Sequence, residues 1–228
     1  LSFDLADGDP FVINNNIPFK QIFDYGDAPD TYGTDVTAGN SGSDPIGASH
    51  NIINGIHLGA TAPDAEDDAS TPLDGSGDGA EDDGITLVTL TEGDTSYTIP
   101  VGNITATGTG TLHVWLDFDK SGTFEPGEYT SVVVTSDTPA GDLTWSGITA
   151  GAAGDTYARF RFTSDASINA NTPGGAASDG EVEDYQVAIL PPLEYAISGQ
   201  VRNDTDNDGD LNDTDSGISG VTVTLFDD

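Results

Sequence analysis

The sequence predicts an all-β protein, and three observations carry that expectation. Short runs rich in Thr, Val, Ile and aromatic residues alternate in polarity and are separated by Gly, Asp, Asn and Pro, as in two packed antiparallel sheets. Alanine is gathered in Gly-Ala and Thr-Ala pieces instead of recurring at helical period. Finally, 40 acidic side chains stand against 5 basic ones, a net charge of -35, so bound divalent cations or high ambient salt must offset the self-repulsion. Together they predict an all-β sandwich, and 228 residues suggest one large domain plus something smaller.

The same charge excludes whole classes of partner. Too few cations are present to neutralise phosphates, so nucleic acid and anionic membrane surfaces are poor partners. No apolar run approaches the roughly 20 residues of a membrane span, which argues against membrane insertion. No signal-peptide pattern opens the sequence, so secretion would imply a targeting segment already removed. Cysteine is absent; metals are then the natural substitute for disulfides in a loop-rich extracellular chain.

Residues 1–23 are rich in large apolar groups, Phe11, Val12, Ile13, Ile17, Phe19, Ile22 and Phe23 among them. They read as a first strand of this chain's own sandwich, or as a strand donated to a neighbouring subunit. From Asp24 to about Gly84 little alternates, and a stretch so long needs something to hold it. Its acidic clusters (Asp64, Glu66, Asp67, Asp68, Asp74, Asp78, Glu81, Asp82, Asp83) suggest an ordered, metal-bearing loop anchored by Ile52, Ile53, Ile56 and Leu58; the competing reading is a solvated acidic run. His50, His57 and the distant His113 read as hydrogen-bonded structural residues, since zinc here would have to borrow carboxylates.

From Ile85 strands are expected at regular intervals: 85–90, 97–101, 111–118, 129–135, 142–148, 156–163 and 182–190. Between the third and fourth runs Asp117-Phe-Asp-Lys-Ser-Gly-Thr-Phe-Glu-Pro-Gly-Glu128. Asp117, Asp119, Ser121, Glu125 and Glu128 fall at positions 1, 3, 5, 9 and 12 of a calcium loop, Gly122 takes its turn position, and Thr123 offers a carbonyl. A hard cation asks for six to eight oxygens, and this series supplies them between two strands. In Tyr157-Ala-Arg-Phe-Arg-Phe162, Arg159 and Arg161 share one face and Phe160 and Phe162 the other. Glu181 and Glu183, at the same two-residue step, can pair with the arginines across the sheet, either as surface ion pairs worth little or, as so acidic a chain favours, in a buried latch.

Pro191-Pro192 ends this unit. A strand is expected at 195–201, then a second calcium loop with Asp204, Asp206 and Asp208 at positions 1, 3 and 5, Gly209 at the turn, Asp210 and Asn212 beyond it, and Asp215 at position 12. Val221 to Phe226 reads as a strand, which argues against a dockerin, whose loop leads into a helix.

Several motifs in order carry a resemblance: Asp-Tyr-Gly-Asp-Ala-Pro-Asp at 24–30, Gly-Ala-Ser-His at 47–50, Leu-Gly-Ala at 58–60, Asp-Ala-Glu-Asp-Asp at 64–68, Glu-Asp-Asp-Gly-Ile at 81–85, Trp-Leu-Asp-Phe-Asp at 115–119 and Gly-Glu-Val-Glu-Asp-Tyr at 180–185. Residues 24–190 resemble the GEVED domain, a module of large secreted and surface-anchored bacterial proteins. Residues 194–228 resemble the start of the SdrD B-like domain, a calcium-binding Ig-like adhesin repeat. The organisation the resemblance implies is an apolar strand segment (1–23), a GEVED-like β-sandwich (24–190; jelly-roll/Ig-like, with long calcium-stabilised loops) and a partial SdrD B-like domain (191–228), a partial second Ig-like β domain. Such a domain normally continues through more strands, so the chain reads as a fragment or as completed by another chain.

The resemblance implies calcium-stiffened architecture and supplies no catalytic residues. The expected protein is therefore a non-enzymatic structural or adhesive segment of an extracellular bacterial surface protein, held by Ca2+. Its expected partners are neighbouring domains or copies of itself, joined into a filament by strand donation. The alternative is a glycan-binding module accessory to a secreted enzyme, with Trp115, Trp145, Tyr129 and Tyr157 as a stacking platform. A hydrolase is the weakest candidate, because no nucleophile motif stands out among so many carboxylates.

Overall fold

A computed structural model describes residues 22–34, 47–66, 72–76, 79–193, 200–207, 209 and 216–224. The chain divides into two compact units, Leu1–Pro192 and Leu193–Asp228. In the first unit the strands are β1 (Phe23–Tyr25), β2 (Ser49–Asn51), β3 (His57–Leu58), β4 (Leu90–Thr91), β5 (Ser96–Ile99), β6 (Ala106–Thr107) and β7 (Gly110–Leu116). They continue with β8 (Tyr129–Thr135), β9 (Thr138–Pro139), β10 (Leu143–Ser146), β11 (Gly154–Thr163), β12 (Ala176–Ala177) and β13 (Glu181–Leu190). Among the described residues the helices are single 3-10 turns, and none is long and apolar enough to cross a membrane. The fold is all-β and of sandwich type.

The main sheet has the order β4-β13-β11-β7-β8-β9, antiparallel except where β4 joins β13 in parallel. Alternation sorts its side chains onto two faces. One face carries Leu112, Val114, Leu116, Val132, Phe160, Phe162, Val187 and Ile189, which pack with Tyr97, Ile99, Leu143 and Trp145 of the small β5–β10 sheet. Each of these large side chains contributes about 1.5–3 kcal/mol by leaving water. The opposite face carries Trp115, which packs with Ala28, Tyr32, Phe124, Ile168 and Ala177. Both faces of β11 are thus covered, and its arginines are as buried as its phenylalanines.

This covering corrects the expected arginine partners. The register sets Arg159 opposite Asp184 and Arg161 opposite Val182, while Glu183 and Glu181 stand opposite Phe160 and Phe162. Arg159 is in a buried latch, but with Asp184, through Nε to Oδ1 and Nη2 to Oδ2, each 2.8 Å. Arg161 donates instead to His50 Nε2 and to the carbonyls of Thr172, Gly174, Gly175 and Ser49. Glu181 accepts from Leu58 N–H, and Glu183 Oε1 accepts from Asp83 and Gly84 N–H, on the other face.

Those carboxylates also explain how the poorly alternating 24–84 region is held where it is described. Glu66 accepts from Tyr25 N–H, Asp83 from Ala60 N–H, and Asp24 from Val182 N–H. β1 pairs with β2, β2 with β12, and β3 with β6. Leu58 and Ile56 anchor the region in the core as expected, whereas Ile53 is exposed. The run expected as a strand over 85–90 is extended but pairs only at the Ile85–Ile104 bridge and at β4, because Tyr97 Oη binds the backbone of Val88 where a neighbouring strand would.

The second unit contains the hairpin β14 (Arg202–Asn203) and β15 (Ser216–Gly217). The strand expected over 195–201 falls mostly outside the described residues. Of the run 221–226, residues 221–224 are described and are not in a strand, since no described segment pairs with them. Residues 1–21 of the apolar N-terminal segment also lie outside the described residues.

Candidate metal centre

The connection from β7 to β8 begins with Asp117, where the strand ends and the backbone must turn. Lys120 (φ 62°) and Gly122 (φ 86°) take left-handed conformations, the second at the position where the sequence demanded a glycine. Phe118 is buried in the larger core and Phe124 in the smaller, so the loop is pinned on both sides of the sheet. Trp145 Nε1–H donates to Glu128 O at 2.6 Å, and Thr156 Oγ1–H donates to Asp117 O at 2.6 Å. The loop ends in a 3-10 turn, Pro126–Glu128, closed by a capping box between Glu125 and Glu128.

Within this frame Asp117, Asp119 and Glu128 bring carboxylate oxygens to within 4.8 Å of one another. One calcium ion holds its ligands at about 2.3–2.6 Å, so oxygens at such separations fit a shared cation. These are positions 1, 3 and 12 of the predicted loop. Asp117 and Glu128 are buried and Asp119 is exposed, and a cavity of about 150 Å³ lined in part by Phe118, Asp119 and Glu128 opens beside them.

The remaining predicted ligands form a neighbouring set. Ser121 Oγ lies 3.0 Å from Glu125 Oε1, and Thr123 Oγ1 lies 2.5 Å from the same oxygen. The Thr123 carbonyl, expected to face a cation, accepts from Ser121 Oγ at 3.1 Å. Ser121 N–H donates to both Asp117 Oδ1 (3.0 Å) and Asp119 Oδ1 (2.9 Å).

Electrostatics at the centre call for a positive charge, whether a proton or a cation. Burial, with Asp117 and Glu125 alongside, pushes the Glu128 carboxyl up to about 9. Its oxygens accept from Phe118 N–H and Glu125 N–H, both at 3.0 Å. A buried carboxyl so placed among other carboxylates is relieved by a positive ion or by a proton. This cluster of one exposed and two buried carboxylates could hold a metal ion.

In the second predicted loop, Asp204 and Asp206 are exposed, and Asp204 Oδ2 accepts from Gly209 N–H at 3.2 Å. Asp208, Asp210, Asn212 and Asp215 lie outside the described residues. The histidines are hydrogen-bonded as expected: His50 Nδ1 to Asp179 O, His57 Nδ1 to Leu58 O and His113 Nδ1 to Tyr129 Oη, each 2.8 Å. Burial and then Arg161 hold His50 well below its ordinary value and His113 down to about 4.

Sequence reasoning missed one residue of the centre. Tyr32, at the end of a 3-10 turn over Asp30–Tyr32, donates its hydroxyl to Asp117 Oδ2 at 2.7 Å. Burial and Asp117 raise that phenol far above its ordinary value, so it remains a donor. The only available signal was the position of Tyr32 just after the Asp-Tyr-Gly-Asp-Ala-Pro-Asp motif.

No curated protein and no solved structure matches this chain. The family model of the GEVED domain matches residues 111–188, the stretch from β7 to β13 that contains the acidic centre and both buried arginines.

Proposed function

We propose that this chain is a non-enzymatic structural or adhesive segment of an extracellular bacterial surface protein, stiffened by calcium at the β7–β8 loop. The observation that carries the reading is the convergence of Asp117, Asp119 and Glu128 at the calcium-loop positions 1, 3 and 12. The GEVED match is consistent with an extracellular bacterial module. Bound calcium would also offset part of the net charge of -35, at a point where two carboxylates are buried. The likeness of residues 194–228 to an adhesin repeat rests on their loop motif and points the same way.

Self-association by strand donation is the finer form of this proposal. Val201, Ile218, Val221 and Val223 in the second unit are exposed, and the apolar 1–23 segment has the composition to cover such a surface. Light scattering at millimolar calcium tests it: a monomer at all concentrations removes the filament. The glycan alternative loses its main support, because Trp115 and Trp145 are both buried in the cores.

The deciding experiment is thermal unfolding in calcium and in excess chelator at moderate salt. Calcium at about 100 times its dissociation constant adds about 2.7 kcal/mol, which for a unit of this size raises Tm by about 5–11 °C. Asp117→Asn and Glu128→Gln should abolish the part of the shift due to this loop. Equal melting in calcium and in chelator rules the proposal out.

A further inference from the structure

The segment 28–34 has little regular structure of its own. Its regular backbone bonding is one 3-10 turn, with Tyr32 N–H to Pro29 O and Gly33 N–H to Asp30 O. It is held by what it touches on the sheet. The Tyr32 ring lies 4.6 Å from Phe124 of the β7–β8 loop, and its hydroxyl reaches Asp117 Oδ2. Behind it, Arg159 donates to Tyr32 O at 3.1 Å and to Thr34 Oγ1 at 2.7 Å.

Asp117 gains as much from this contact as the segment does. A carboxylate offers about four acceptor positions. Ser121 N–H takes one on Oδ1, while Gly122 N–H (2.9 Å) and Tyr32 Oη–H take two on Oδ2. One position remains, on Oδ1, and the Tyr32 bond helps to fix the rotamer in which it is presented. Removing that donor leaves the Asp117 carboxylate held, among the described residues, only by Ser121 N–H and Gly122 N–H, both from its own loop.

We infer that Tyr32 is a positioning residue of the cation loop, and that cation binding at Asp117 and the seating of segment 28–34 are linked. This rests on the calcium reading above and adds its regulation. Linkage is reciprocal: if the seated segment tightens calcium binding, calcium tightens the segment by the same factor. The acidic loop thereby reports its occupancy to a segment 85 residues away in sequence.

The test uses the full chain and calcium ions alone. Calorimetric titration gives the affinity of the site lost in Asp117→Asn, and hydrogen exchange gives the protection of the Tyr32 and Gly33 amides in calcium and in chelator. Tyr32→Phe keeps the ring against Phe124 and loses only the hydroxyl, so folding is preserved and is checked by its melt. Tyr157→Phe is the control, since the Tyr157 ring lies 5.3 Å from Tyr32 but its hydroxyl faces Gln186. The expected result is affinity about fivefold weaker in Tyr32→Phe, unchanged in Tyr157→Phe, with calcium-dependent protection of both amides in the wild type. Affinity within twofold in Tyr32→Phe, or protection indifferent to calcium in the wild type, overturns the linkage while leaving the calcium site standing. Absence of any calcium uptake by the wild type overturns the calcium reading itself, and this inference with it.

Discussion

Replacing Arg159 by methionine should be among the most damaging single changes to the first unit. Its guanidinium has five N–H donors, and the structure shows five bonds: two to Asp184, then Tyr32 O, Pro173 O (3.3 Å) and Thr34 Oγ1. Arginine and aspartate are both fully buried. Methionine preserves most of the aliphatic volume but leaves the Asp184 carboxylate in the interior with only Ala28 N–H to stabilise it among these partners. Stranding one member of a buried pair costs about 3–5 kcal/mol, which corresponds to a fall in Tm of about 6–20 °C. Denaturant unfolding followed by near-UV circular dichroism measures this, and Trp115 beside Arg159 on β7 reports the local packing. The double variant Arg159→Met with Asp184→Leu should recover most of the loss, because two apolar groups make no demand for charge compensation. A loss below about 1 kcal/mol in the single variant, or a double variant no better than Arg159→Met, refutes the reasoning.

Two further outcomes follow from residues 180–183, where β13 begins. Gly180 has φ 99°, and a Cβ there would run into the Phe162 carbonyl, so Gly180→Ala should cost at least about 2 kcal/mol in the same denaturation assay. Burial pushes Glu183 up to about 8, and burial with Glu183 and Asp24 nearby pushes Glu181 up to about 11. Raised carboxyl values mean that stability is full below the unfolded value near 4.5 and declines as pH rises toward 8, since only the unfolded state releases its proton. Glu183→Gln should therefore make the decline between pH 5 and 8 shallower, leaving the part due to Glu181, and pH profiles identical to the wild type would count against it.

What could be read from the residues was whatever neighbouring positions decide among themselves. The period-2 runs expected at 111–118, 129–135 and 156–163 became β7, β8 and β11. The spacing of Asp117, Asp119 and Glu128 around Gly122 brought three carboxylates together, because one tight turn and one 3-10 turn leave the loop few ways to place them. Tertiary structure decided the partners. Arg159 meets Asp184 and not Glu183 because antiparallel register assigns each residue its opposite number, and a shift of one position moves every side chain to the other face. That the arginines of β11 are buried was expected from so acidic a chain, but what covers them was not legible: the layer of Ala28, Tyr32, Phe124, Ile168 and Ala177 around Trp115 comes from segments distant in sequence. Tyr32 belongs to the acidic centre only because segment 28–34 folds across that layer. Local geometry follows from bonded neighbours and their dihedral preferences, whereas contacts between residues 25 to 127 positions apart follow from how the layers stack.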